Sequence, residues 1–243
     1  MILRDVSLSL VYIPNLYFVE EYMREKETSY EDACRVDYQA NWNPKRYQFS
    51  QETRCIASFF CRVLPKVVTH DCKKIIIECV PKIEYKEIRN LSGVYKIQRL
   101  FDYEAFKDLL DYNKKVATFE MMKDSVLTVV SRMQWDLQPF KDALKHIVES
   151  NYHNVWVWRK KMFNPSRKVS AEVLCVHEVK NITISIVFRD RKSNIISQKE
   201  IIVEQPSEWM YVRHLGKLVW TSDTEVKLLD ETLEKGVSAT LDI

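Results

Sequence analysis

Residues 155–163, VWVWRKKMF, place aromatic side chains beside basic ones at the spacing of an extended strand. Trp and Arg side chains dominate the energetic centres of protein–protein interfaces. The same groups can stack on bases and neutralise phosphates. The candidate partner-binding residues are Trp156, Trp158, Arg159, Lys160 and Lys161. Because residues two apart in a strand share a face, both tryptophans could instead face a core, where they would serve packing alone.

From residue 155 onward, basic and acidic residues are concentrated in different stretches of the chain. Residues 155–192 hold nine Lys and Arg against three Asp and Glu, whereas residues 193–243 hold five against nine. The two stretches could pair with each other across a sheet. The basic stretch could equally bind an acidic partner, either a protein surface or a nucleic acid. The net charge of the whole chain is only +3, so no overall field drives either kind of binding.

A histidine–cysteine pair is the best candidate for catalysis. His70 and Cys72 lie two residues apart just before a predicted strand, where they would share a face. A nucleophilic thiol is activated by a neighbouring base of this kind. No orienting group and no oxyanion hole can be named beside the pair. A cysteine-dependent enzyme is therefore the third hypothesis, after a protein-binding and a nucleic-acid-binding module.

Residue types that ligate metals do not form a recognisable zinc site. His70, Cys72 and Cys79 supply three such residues, but no second pair stands at a zinc-site spacing. Residues 177–181, HEVKN, carry asparagine where the H-E-x-x-H motif requires its second histidine. We therefore expect neither a metal nor a cofactor.

Glycine is rare in this chain. The three glycines, Gly93, Gly216 and Gly236, each stand alone. Phosphate-cradling loops and nucleophile elbows need glycines at fixed spacings, because the backbone there adopts positive φ or approaches the ligand closely. Classical dinucleotide-binding folds, P-loop nucleotide hydrolases, protein kinases and ordinary α/β-hydrolases are therefore not expected. This composition favours a non-enzymatic protein.

The elements that position these residues change in character near residue 150. Residues 1–150 are predicted to be helix-rich, with strands at 5–13, 73–80 and 94–100. Predicted helices begin at capping or turn residues, namely Asn15, Ser29, Ser50, Asp102, Lys114 and Pro139. Residues 39–49, QANWNPKRYQF, are predicted to form a loop because they are polar and contain Pro44.

Residues 151–243 are predicted to be β-rich. Strands are expected at 155–162, 171–177, 182–189, 195–203, 209–213, 217–220 and 226–229. Their short polar connections predict an antiparallel meander, because parallel strands need longer crossovers. The predicted fold class is α+β, with a mainly helical N-terminal part, a following antiparallel meander, and helices packed on one face of the sheet. Two domains and one continuous domain both fit, since no linker separates the parts.

The composition predicts a cytoplasmic protein. The first residues alternate in hydropathy and include Arg4 and Asp5, which is typical of a strand and not of a signal peptide. No run of about 18 apolar residues predicts a membrane span. The six cysteines contain no C-x-x-C pair, and a chain of this length can form a core without disulfides.

These observations together predict a non-enzymatic soluble protein that binds another protein. The form we expect is a single-partner inhibitor, such as a bacterial immunity protein that neutralises a cognate toxin. The alternative is a nucleic-acid-binding module that uses the basic, aromatic hairpins of residues 155–192.

Overall fold

The computed structural model describes residues 1–241, apart from the side chains of Arg159 and Lys160. The chain divides into two compact units between Tyr152 and His153. Its fold class is α+β, as predicted, with the helices concentrated in the first unit. Within residues 1–241, no helix is both long enough and apolar enough to cross a membrane.

The first unit contains one mixed sheet and the larger helices. Its strands are β1 (Asp5–Leu10), β2 (Lys74–Val80), β3 (Arg89–Leu91) and β4 (Val94–Leu100). Its helices are α1 (Leu16–Lys26), α2 (Tyr30–Asp37), α3 (Asn43–Val63), α4 (Tyr103–Lys107), α5 (Asp111–Arg132) and α6 (Gln138–Glu149). A π-helical turn, Tyr38–Trp42, joins α2 to α3.

The strands of this sheet lie in the order β1-β2-β4-β3. Strands β1, β2 and β4 are parallel, because long connections return the chain to the same end of the sheet before each begins. Strand β3 pairs antiparallel with β4 through a tight hairpin. Ser92 and Gly93 in that hairpin both have positive φ, 52° and 84°, as a two-residue turn of this kind requires. The carboxyl ends of the three parallel strands therefore meet at one edge.

The core of the first unit lies between this sheet and the helices. Strand β1 alternates strictly, burying Val6, Leu8 and Leu10 against α3. Helices α3, α5 and α6 contribute their apolar stripes to the same core. On α5, Phe119, Met122, Val126, Val129 and Val130 form a buried apolar stripe. Apolar residues three and four positions apart lie on one face of a helix, which is why these segments form helices that bury one side.

A polar cluster lies on the opposite face of β2 and β4, and we call it the Glu78 cluster. The buried Glu78 carboxylate accepts hydrogen bonds from Tyr85 Oη at 2.5 Å and Lys96 Nζ at 2.9 Å. Gln98 Oε1 accepts the backbone N–H groups of Glu84 and Tyr85 at 2.8 and 3.3 Å. Burial opposes ionisation of Glu78, but these hydrogen bonds outweigh it and hold its pKa below the usual value.

The loop predicted at 39–49 is wrong. These residues form the π-helical turn and the first two turns of α3, which begins at Asn43 and not at Ser50. Pro44 lies in the first turn of α3, where its fixed φ and missing N–H are tolerated. The polar composition that suggested a loop belongs to the exposed side of the helix.

The second unit contains two sheets, both antiparallel, whereas the sequence predicts a single antiparallel meander. The first has the order β5-β6-β7-β8, with β5 (Asn154–Phe163), β6 (Ser170–His177), β7 (Ile182–Arg189) and β8 (Ile195–Glu204). The second has the order β11-β10-β9, with β9 (Lys217–Trp220), β10 (Glu225–Leu229) and β11 (Gly236–Thr240). Alternate residues of β6 and β7, including Val173, Cys175, Ile184 and Ile186, share a core with β9–β11.

The strand predicted at 209–213 is also wrong. Residues Glu208–Tyr211 form helix α7, and Val212–His214 continue it as a 3-10 turn. Tyr211 and Leu215 are buried four residues apart, whereas Trp209 is exposed. That spacing fits one side of a helix and not one face of a strand.

Candidate functional site on strand β5

Trp156 and Trp158 face the core of the second unit. Both side chains are half-buried and pack against that core. In the register of β5 and β6 they lie opposite Cys175 and Val173, which are buried. The Trp156 ring centroid is 6.3 Å from that of Tyr211. The sequence left open whether the two tryptophans face a partner or a core. In the structure they pack against the core.

The residues between the tryptophans point outward instead. Val155 and Val157 are 41% and 45% exposed, and Phe163 at the end of β5 is 44% exposed. Met162 lies opposite the buried Ala171 and therefore shares the face of the tryptophans. Strand β5 lies at an edge of its sheet. Contiguous exposed apolar side chains mark interaction surfaces, and exposed edge strands are usually protected from pairing with other chains. We call Val155, Val157, Lys161 and Phe163 the β5 surface.

Arg159, Lys160 and Lys161, the basic residues predicted to bind a partner, lie where the pairing of β5 with β6 shifts in register. The pairing of β5 with β6 is irregular between Trp158 and Met162. Arg159 and Lys160 lie within this stretch, and their side chains fall outside the described part of the structure. Lys161 is exposed, donates a hydrogen bond from Nζ to Ser193 Oγ at 3.2 Å, and lies 5.7 Å from the Phe163 ring centroid.

The hairpin loops after β5 and β7 bring further basic residues together. We call Arg167, Lys168, Arg191 and Lys192, all of them exposed, the basic tip. Arg191 Nε donates a hydrogen bond to the Arg167 carbonyl oxygen at 3.0 Å, so the two loops are in contact. An open hollow of about 590 Å³ is lined by Phe163, Asn164, Arg167 and Arg191. Its lining combines one aromatic ring with two guanidinium groups.

Asn164 fixes the shape of the first loop. It is buried, and its Oδ1 accepts the backbone N–H groups of Lys168 and Val169 at 3.0 and 3.1 Å. Its Nδ2 donates to the Asp223 carbonyl oxygen at 2.9 Å. A side chain that satisfies loop backbone groups in this way holds the loop in one conformation. The position of Arg167 is therefore set by the fold of the second unit.

The structure does not bring His70 and Cys72 together as a catalytic pair. Cys72 is buried and its Sγ donates to the Lys74 carbonyl oxygen at 3.4 Å, whereas His70 is exposed. Burial raises the pKa of the Cys72 thiol to about 11, the opposite direction to that of a reactive thiol. All six cysteines are free thiols in the described chain. Among residues 1–241, no group of three or more metal-ligating side chains could hold a metal ion.

The sequence prediction missed Val155, Val157 and Phe163 as candidate contact residues. The alternating pattern of β5 could have predicted them, because side chains on a strand alternate between faces. If both tryptophans point inward, the neighbouring valines must point outward. Contact between the two hairpin loops at the basic tip carries no sequence signal, since it depends on how the strands pair.

Comparison with protein-family models, with curated proteins and with solved structures found no match to this chain.

Proposed function

We propose that this protein is a non-enzymatic binding protein that docks onto another protein through the β5 surface. The observation that carries the proposal is the exposure of three apolar side chains, Val155, Val157 and Phe163, on an edge strand beside a basic tip. The form of docking we propose is that of a single-partner inhibitor, such as an immunity protein that covers a toxin. The cytoplasm, where its free thiols would stay reduced, is the proposed location.

The apolar contribution of this surface can be gauged from its exposure. Each of the three apolar side chains keeps about two-fifths of its area in water, so full burial of each would contribute about 0.5–1 kcal/mol. The sum is smaller than the free energy of a specific complex, because association also costs translational and rotational freedom. A partner must therefore gain further contacts, and an acidic surface facing the basic tip would provide them and accelerate association.

A pair of matched substitutions tests this proposal. Val157→Asp places a carboxylate on the β5 surface, whereas Val212→Asp does the same at a residue of the second unit that is 42% exposed and lies outside that surface. The partner is captured from the native cells with the tagged wild-type protein, and affinities are then measured on the purified pair.

We expect Val157→Asp to weaken binding by about tenfold or more, the loss typical of an interface residue worth over 1 kcal/mol. Val212→Asp should leave the affinity within about twofold of wild type. Equal affinity of the Val157→Asp variant, or the lack of a stoichiometric protein partner, would overturn the proposal.

The hollow at the basic tip supports a second candidate function, which is binding of nucleic acid. Phe163 offers a ring for base stacking, and Lys161 with the basic tip offers five cations for phosphates. Five phosphate contacts predict that affinity for an oligonucleotide falls by about 100- to 500-fold between about 50 and 200 mM salt. An oligonucleotide affinity that is insensitive to salt, or unchanged by Arg191→Glu, would remove this candidate.

A further inference from the structure

A cleft of about 760 Å³ lies in the first unit. Leu10, Cys79 and Leu100, at the carboxyl ends of the three parallel strands, form its floor. In sheets of this kind ligands bind at the carboxyl ends of the strands, and volumes of this size accommodate small molecules. The position and size of the cleft therefore suit a small ligand.

The π-helical turn places one wall of the cleft. Asp37, Asn41 and Trp42 line the cleft from this turn and from the residue preceding it. π-Helical turns are rare and recur at functional sites, because their extra residue redirects side chains. Asp102, Tyr103 and Glu104, at the start of α4, also line the cleft.

The cleft holds an ionised carboxylate. The buried Asp37 accepts hydrogen bonds on Oδ2 from Tyr12 Oη at 2.8 Å and the Asn15 backbone N–H at 3.0 Å, and on Oδ1 from Asn41 Nδ2 at 2.8 Å. Burial opposes ionisation of Asp37, but these three donors outweigh it and hold its pKa below the usual value. Together with Asp102 and Glu104, the lining carries three carboxylates.

One ammonium group already occupies the aromatic part of the lining. Lys45 Nζ lies 5.3 Å from the Trp42 ring centroid and 4.1 Å from that of Tyr103, and it pairs with Glu104 at 3.1 Å. Ring faces at these distances attract cations. Trp42 Nε1 is buried and has no hydrogen-bond partner among the described residues.

We propose that this cleft binds a small organic ammonium compound, whose cationic group takes the place of the Lys45 ammonium against Trp42 and Tyr103. Its apolar body would lie along Leu10 and Leu100. Phosphate-bearing ligands do not fit this lining, because Lys45 is its one basic side chain and is paired with Glu104. An acidic lining favours cations and repels anions.

The test uses phenethylammonium and its neutral analogue 2-phenylethanol as probes. Binding to the full chain is followed by the NMR signal of the Trp42 indole N–H, assigned with the Trp42→Phe variant. The wild-type protein should show a saturable shift with phenethylammonium, and the alcohol should bind about fivefold or more weakly, as expected for a cation–π contribution near 1 kcal/mol.

Lys45→Gln is the most informative variant, because it removes the ammonium group from the faces of Trp42 and Tyr103 and lowers the net charge by one. We expect it to bind phenethylammonium about fivefold or more tightly than wild type, whereas Tyr103→Leu should lose a similar factor. Lys141→Gln removes the same charge at an exposed position on α6 and should leave the affinity unchanged.

Three outcomes would overturn the proposal: no saturable shift up to about 10 mM phenethylammonium, equal affinity for the alcohol, or a Lys45→Gln affinity no higher than that of Lys141→Gln. None of them bears on docking through the β5 surface, which lies in the other unit.

Discussion

A buried ion pair between α3 and α5 allows a worked prediction about stability. Lys114 Nζ lies 2.8 Å from Glu52 Oε1, and the two side chains are 4% and 8% exposed. Gln48 Nε2 donates to the same oxygen at 3.0 Å. Glu52 Oε2 is buried without a hydrogen bond among the described residues. The pair is thus desolvated, and Lys114 supplies a positive charge bonded directly to Glu52.

Removal of the lysine charge alone should destabilise the first unit strongly. Lys114→Met retains most of the packing volume but leaves the Glu52 carboxylate buried without a counter-charge, which typically costs about 3–5 kcal/mol. Replacement of both residues, Glu52→Leu with Lys114→Met, removes the desolvation penalty and should return stability to within about 2 kcal/mol of wild type. The exposed pair Lys145–Glu149, at 3.5 Å, provides the control, since Lys145→Met should cost no more than about 0.5 kcal/mol.

The assay must report on the first unit separately, because two compact units need not unfold in one transition. Urea unfolding followed by hydrogen exchange in peptides from α3 and α5 meets this requirement. A cost below about 1 kcal/mol for Lys114→Met would refute the reasoning about desolvation. So would a double variant that is no more stable than the single one, because the penalty would then not depend on the unpaired charge.

Three further predictions concern single positions. Iodoacetamide near pH 8 should label the half-buried Cys34 well before Cys72, whose pKa of about 11 and burial keep it a protonated, inaccessible thiol; peptide mass mapping measures this. Because the pKa of Glu78 is lowered in the fold, its contribution to stability is present above the unfolded pKa of about 4.3 and is lost as pH falls through the folded value. Glu78→Gln should therefore lose less stability than wild type between about pH 5 and pH 3 in urea titrations. Gly216→Ala should lower stability by about 2 kcal/mol or more, because its Cβ would lie 1.8 Å from the Asp230 carbonyl oxygen; thermal unfolding measures this.

Each of these predictions has a contrary outcome. Labelling of Cys72 as fast as Cys34 would show that the thiol is accessible. An acid sensitivity of Glu78→Gln equal to that of wild type would show that other carboxylates dominate in this pH range. A Gly216→Ala variant as stable as wild type would show that the backbone near Asp230 can move aside at no cost.

The local structure of the first unit could be predicted from short stretches of sequence. Asn15, Ser29 and Asp102 were predicted as helix caps, and each accepts the backbone N–H three residues ahead. These features depend on the hydrogen bonds within one turn of chain. Residues 39–49 could not be predicted in the same way, because their helical conformation depends on packing that the local composition does not record.

The candidate sites depended much more on tertiary structure. The sequence of β5 determined that its tryptophans and valines lie on opposite faces, but not which face meets a core. The tryptophan face is the one that meets the core, because burial of Trp156 against the core of the second unit contributes more free energy than burial of the smaller Val155 would. Val155 and Val157 are exposed as a result.

The sequence by itself determined the fold class, the longer strands and most helix starts, because residues a few positions apart fix them. It did not predict the short strands β3 and β11. Only the tertiary structure decided the parallel order of β1, β2 and β4, the contact of the two loops at the basic tip and the cleft lined by Asp37 and Tyr103. These arrangements join residues far apart in the chain. Their free energy comes from surfaces that exist only after the elements have packed.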